Sequence, residues 1–222
     1  MGREELEIVR KGIVKRKTKR RVGLFIDATG LDRATRRLER KIDLSRLVSG
    51  LSSGLQIEVA RYYTLIPFED DARQLAFLDA VERAGVEVVT KRLPPKGVKR
   101  QVSMDVHMAS DILNFAHGAF EAQKDSSINS SELSLQEPMR VNEGSSIISA
   151  PTLVSSPREK TPIKRIAVVV CASRELSYAL YTAYEQGVET VLADFGHYGT
   201  SDGWKGVDRW VDLSTSETIW RE

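Results

Sequence analysis

An α/β fold, three layers deep with helices on both faces of a mainly parallel sheet, is the architecture this sequence predicts. Three observations carry it. Apolar runs without polar alternation recur, most clearly at 22–26 and 166–170, as in strands buried on both faces. Helical stretches alternate with these runs, and such alternation closes into a parallel sheet through right-handed crossovers. The chain has 222 residues, 41% of them hydrophobic, enough for one sizeable core.

The elements follow in order. Residues 1–21 hold nine Lys or Arg against three Glu, so residues 1–20 read as a basic arm able to reach a polyanion. Val22 to Asp27 is the first strand. Residues 31–49 form a basic helix with Leu38, Ile42, Leu44 and Leu47 as its apolar positions, broken at Gly50 and Gly54. Residues 56–63 make a second strand. After Pro67 a helix opens on Glu69, Asp70 and Asp71, acids that suit its positive end, with Leu75, Leu78, Ala80 and Val81 inward. Val86 to Val89 is a third strand. Residues 91–100 hold five Lys or Arg, two prolines and no acid, and read as a basic loop. A helix covers 103–121. Residues 122–162 are serine-rich, lack aromatics and show no period, which predicts a flexible insertion. Order resumes with a strand at 163–170, a helix near 174–186, and strands at 188–193 and 207–213. The predicted domain is therefore 21–121 joined to 163–222.

Composition excludes several classes. One cysteine, Cys171, rules out an internal disulfide framework and multi-cysteine zinc sites. Three scattered histidines argue against a histidine metal centre. No run approaches the ~18–20 apolar residues of a membrane helix, and the charged start does not resemble a signal peptide, so a cytoplasmic protein is expected. Gly-x-Gly-x-x-Gly, the Gly-Lys-Ser/Thr phosphate loop and the Gly-x-Ser-x-Gly elbow are all absent.

Ligands of an open parallel sheet gather beyond the carboxyl ends of its strands. Asp27 lies there after the first strand. Thr90, Lys91 and Arg92 follow the third, Cys171 to Glu175 the fourth, and Asp194 the fifth. Several acids could converge on one edge. Each also has a plainer reading. Asp27 suits a helix cap, Asp105 a partner for a helix dipole, Glu175 an ordinary first-turn acid and Ser173 a cap.

Gly23-Leu24-Phe25-Ile26-Asp27-Ala28-Thr29-Gly30-Leu31 resembles the opening motif of NYN domains, a branch of the PIN-like metal-dependent ribonucleases. Asp105 to Leu113 resembles the family's helix with two aspartates six residues apart, Asp105 and Asp111. Val168 to Leu176 stands where the family has a strand and a Ser-Gly-Asp-x-Asp-Phe turn. Here that turn departs from the pattern: Ala172 replaces the glycine, Ser173 the first aspartate, Glu175 the second and Leu176 the phenylalanine. Gly187 to Val191 and Asp208 to Leu213 resemble the family's later strands.

The resemblance implies a PIN-like, NYN-type fold and a metal-dependent endoribonuclease acting on RNA phosphodiester bonds. Asp27, Asp105 and Glu175 would be catalytic and metal-binding, holding one or two Mg²⁺ or Mn²⁺ ions, since these cations prefer hard oxygen ligands. Asp111, Ser173 and Thr29 would support them. Asp111 is rotated ~600° from Asp105 along a helix, so the two do not share a face. Lys91, Arg92, Lys96, Lys99 and Arg100 would bind the RNA backbone. Other readings stay open: a catalytically degenerate NYN domain that binds RNA or a protein, and a Rossmann-like small-molecule domain. So do a homodimer and a protein partner reached through residues 122–162.

Overall fold

The computed structural model describes residues 18–69, 71–120, 162–196 and 203–221. Most of the expected basic arm and nearly all of the expected insertion lie outside them.

Six strands form one sheet: β1 (Lys19–Asp27), β2 (Gln56–Ile66), β3 (Glu87–Arg92), β4 (Ile163–Val170), β5 (Glu189–Asp194) and β6 (Arg209–Asp212). Their spatial order is β3-β2-β1-β4-β5-β6, and every neighbouring pair is parallel. Among the described residues, α-helices run at α1 (Ala28–Leu38), α2 (Leu44–Ser52), α3 (Ala72–Arg83), α4 (Asp105–Ala116) and α5 (Ser177–Glu185).

Alternation along the strands divides the core in two. Leu24, Ile26, Val168 and Val170 point to one face, where Leu31 of α1, Leu47 of α2 and Val81 of α3 cover them. Phe25, Val169 and Tyr63 point to the other, under Met108, Ile112 and Phe115 of α4 and Leu180 of α5. Gly23 is small because the Phe115 ring lies against it; a Cβ there would sit 3.0 Å from ring carbons. No described helix is long and apolar enough to cross a membrane.

The structure corrects several expected boundaries. The single helix over 31–49 is two, because Glu39 takes a left-handed φ of 52° and Ile42 bridges to Trp220. β1 begins at Lys19, inside the expected arm, because β4 extends far enough to pair with it. β3 runs on to Arg92, so Lys91 and Arg92 end a strand rather than open a loop. In α3, Leu78 and Val81 are buried, whereas Leu75 and Ala80 face outward. Leu78 and Ala80 stand ~200° apart on the helix, so they cannot both face the sheet.

Candidate active site

Strand order reverses between β1 and β4. From β1 the chain runs outward through β2 to β3; from β4 it runs the other way. The crevice at such a reversal, beyond the carboxyl ends of the strands, is where open parallel sheets bind ligands. Asp27 ends β1 at this point, and Cys171 follows β4 beside it.

Asp27 is fixed by its role as N-cap of α1: its Oδ1 accepts from the Thr29 amide at 2.9 Å. It shares the sheet face of Phe25, which α4 covers. Asp105, the first residue of α4, acts electrostatically on it across the crevice. Burial pushes the Asp27 carboxyl above its ordinary pKa. The Gly30 and Thr29 amides and Arg33 offset part of this, and repulsion from Asp105 adds to it. Ser173 completes the grouping, donating from its hydroxyl to Asp105 Oδ1 at 2.6 Å. The turn after β4, the start of α4 and the end of β1 thus meet at one place.

A second set of acids lies on the β5 side. Cys171 takes a left-handed φ of 53°. Its carbonyl oxygen approaches Gly30 so closely that a Cβ there would lie 2.3 Å away. The Cys171 thiol donates to the Asp194 carboxylate, and burial, then Asp194 and Asp27, push the thiol well above its usual pKa. Burial also raises Asp194, and Asp212 adds to the rise. Asp212 itself accepts from the Gly196 amide at 2.8 Å and from Ser214. A cavity of about 160 Å³ lies between Gly30, Arg33, Cys171 and Asp194. Asp194 was legible as an acid at a strand end; its tie to Cys171 was not, because it depends on the backbone turn at Cys171.

Residues 21–122 match the model of the NYN domain. That stretch is an NYN domain. An NYN domain is a PIN-like domain of nuclease type, and the matched stretch contains both Asp27 and Asp105. A solved structure of a protein of unknown function from Vibrio parahaemolyticus RIMD 2210633 is similar to the chain, with a TM-score of 0.62 and 10% identity. The match covers 92% of this chain and 98% of that one, and at this identity it bears on the fold alone. No curated protein matches the chain.

Other expected residues of the NYN domain take varied positions. Glu175 lies on the exposed side of a 3₁₀ turn, Arg174–Leu176, so Ser173 is the turn residue that bonds to Asp105. Asp111 faces β2, where its Oδ2 accepts from Tyr63 Oη at 2.8 Å and pairs with Arg61 Nη1 at 2.7 Å. Arg61 also forks onto Glu87 with two 3.0 Å bonds. Asp111→Ala should therefore lower the thermal midpoint by ~5–10 °C, as ~2–3 kcal/mol of paired polar contacts are lost. It should leave divalent-metal affinity unchanged, which calorimetry would check.

Lys91 Nζ donates to the Ser103 carbonyl at 3.4 Å and Arg92 Nη1 to the Phe68 carbonyl at 3.0 Å, while Lys96, Lys99 and Arg100 are exposed on the loop leading to Asp105. Among the described residues, no three His, Cys, Asp or Glu side chains group closely enough to hold a metal ion by themselves. The donor set at Asp27 and Asp105 nevertheless fits Mg²⁺ or Mn²⁺. It offers two carboxylates in one crevice, and Mg²⁺ commonly takes one or two carboxylates plus waters and substrate phosphate. One of the two, Asp27, is half-buried and held above its ordinary pKa, so it gains from a neighbouring cation.

Proposed function

We propose that this NYN domain is a divalent-metal-dependent ribonuclease that hydrolyses RNA phosphodiester bonds at the Asp27–Asp105 crevice. The observation that carries the reading is the half-buried Asp27 carboxyl at the point where strand order reverses, its pKa raised by desolvation and by the nearby charge of Asp105. A divalent cation bound there supplies an acidified water and offsets charge on the leaving oxygen. The protein's own groups do the positioning. The Thr29 amide holds Asp27 in one orientation, and Ser173 holds Asp105. Lys96, Lys99 and Arg100, with Lys91 and Arg92 at the strand end, attract the RNA backbone toward the crevice. Glu175, exposed on the adjoining turn, adds negative charge at the rim and is proposed as a further oxygen ligand when RNA and cation are both bound.

A second reading is an NYN domain that binds RNA without cutting it. Ser173 favours it, since a neutral hydroxyl stands where the family turn carries an aspartate. RNA cleavage with and without Mn²⁺ or Mg²⁺ separates the two; absence of metal-dependent cutting would leave the binding reading. Ser173→Asp should tighten Mn²⁺ binding roughly tenfold, because affinity follows the number of ligand charges. Titration calorimetry checks it, and unchanged affinity would show that position 173 does not face the metal.

A further inference from the structure

A cleft opens on the other side of the Asp27 turn, between α1 and α3. Its inner part, about 360 Å³, begins at Ala28 and Thr29, directly after Asp27. Its outer part, about 570 Å³, runs to Lys41 and Arg221. The two share Asp32, Arg36, Tyr62 and Phe77, so they form one continuous depression. The outer part alone has the size of a small-ligand site.

Its chemistry is divided. Phe77 stands on α3 with 49% of its surface exposed, so its ring is open to a ligand. It packs edge-on against buried Tyr62, ring centroids 6.1 Å apart at 67°, which fixes its orientation. Hydrogen-bonding groups lie beside it. The Gln74 amide nitrogen donates to the Leu65 carbonyl at 3.2 Å, leaving the amide oxygen as an acceptor. The Asp32 carboxylate accepts from Arg36 Nε at 3.0 Å. Cations dominate the outer rim: Arg36, Arg40, Lys41 and Arg221 against Asp32 and Glu39. The Arg40 guanidinium is held over the Trp220 ring, 4.1 Å from its centroid. An aromatic wall, adjacent hydrogen-bonding groups and a cationic rim are the three recognition elements of a nucleotide: base face, base edge and phosphate.

We propose that the α1–α3 cleft binds one nucleoside monophosphate unit, with the base against Phe77 and the phosphate toward Arg36 and Arg40. In RNA this unit is a nucleotide flanking the phosphodiester at Asp27. That assignment to RNA rests on the ribonuclease reading, whereas binding of the unit itself does not.

The test is done without metal, so no cleavage enters the readout. Each of the four nucleoside 5′-monophosphates, and a ten-nucleotide single-stranded RNA, is titrated into wild type, Phe77→Ala and Arg36→Gln. NMR shifts and calorimetry report binding, and thermal midpoints confirm folding. Phe77→Ala should weaken monophosphate and RNA binding about tenfold, the effect of one stacking contact. Arg36→Gln should weaken both severalfold. Monophosphate binding that depends on Phe77 while RNA affinity does not would support the cleft and assign it to a free nucleotide. Loss of RNA affinity alone would support a unit read only within RNA. If neither Phe77→Ala nor Arg36→Gln changes the affinity of any ligand, or nothing binds at millimolar concentration, the proposal is overturned. Cleft binding without metal-dependent cleavage would sink the ribonuclease reading and leave this one standing.

Discussion

Asp27→Asn should abolish metal-stimulated RNA cleavage and, without metal, make the protein more stable at pH 7. The loss of cleavage should be ~10²–10³-fold or more, since the residue provides charge where the cation would sit. The gain in stability follows from the environment of the carboxylate. Asparagine caps helices about as well as aspartate, so the bond to the Thr29 amide has a replacement. What disappears is the half-buried negative charge of Asp27, whose folded pKa is raised chiefly by desolvation and further by repulsion from Asp105. A carboxyl with a raised folded pKa contributes stability that is complete below its unfolded pKa and lost as pH climbs through the folded value. The Asn variant lacks that loss. Its advantage should be full above the folded pKa of Asp27 and vanish below the ordinary carboxylate range. A thermal gain of ~2–4 °C per kcal/mol is expected for a chain of this size, and a single stabilising substitution commonly yields ~0.5–2 kcal/mol. Added Mn²⁺ should narrow the gap by stabilising only the wild type. Melting curves from pH 3 to 8, with and without Mn²⁺, check each part; a less stable Asn variant at pH 7 would contradict the electrostatic account.

Gly30→Ala should lower the thermal midpoint by ~2–8 °C. On helix propensity alone the change would help, since alanine gains ~1 kcal/mol over glycine within a helix. The new methyl, however, would lie 2.3 Å from the Cys171 carbonyl oxygen and 3.2 Å from Asp27 Oδ2. The nearer atom belongs to a backbone already turned to φ 53°, so it cannot swing aside as a side chain could. Overpacking of this kind costs ~1–3 kcal/mol or more and outweighs the propensity gain. Gly50 in α2 is the control: a Cβ there meets nothing within 4 Å, so Gly50→Ala should be neutral or stabilising. Equal melting points for Gly30→Ala and wild type would mean that α1 and the β4 turn can part without penalty.

The sheet was legible because buried parallel strands announce themselves as unbroken apolar runs, and Ile166 to Val170 and Val22 to Ile26 are such runs. The split between α1 and α2 was hidden, since Glu39 has no sequence signal for a left-handed turn; the bridge from Ile42 to Trp220 accompanies that break. The candidate site was readable where one residue decides its own position. Asp27 ends a strand and caps a helix, both local facts. Which member of the turn after β4 reaches Asp105 depends on backbone direction, and that direction put Ser173 inward and Glu175 outward. Asp111 was expected to support the site, and its partner could not be read from the sequence, because Arg61 reaches it from β2. The α1–α3 cleft had no signature at all, because its walls come from four separate segments.

The pairing of β1 with β4 has a consequence for synthesis. Lys19 lies beside Ile163, so β1 emerges from the ribosome long before its partner exists. Until then only β2 can pair with it, and the row of backbone amides and carbonyls destined for β4 stays open along a strand as apolar as Val22 to Ile26. Open apolar edges recruit other chains. Non-local pairing also delays folding, since loop closure must precede the contacts that reward it. A nascent chain ending near residue 122, where the NYN match ends, would therefore be prone to associate with its neighbours, and the aggregation hazard falls when the segment from Ile163 to Val170 is translated.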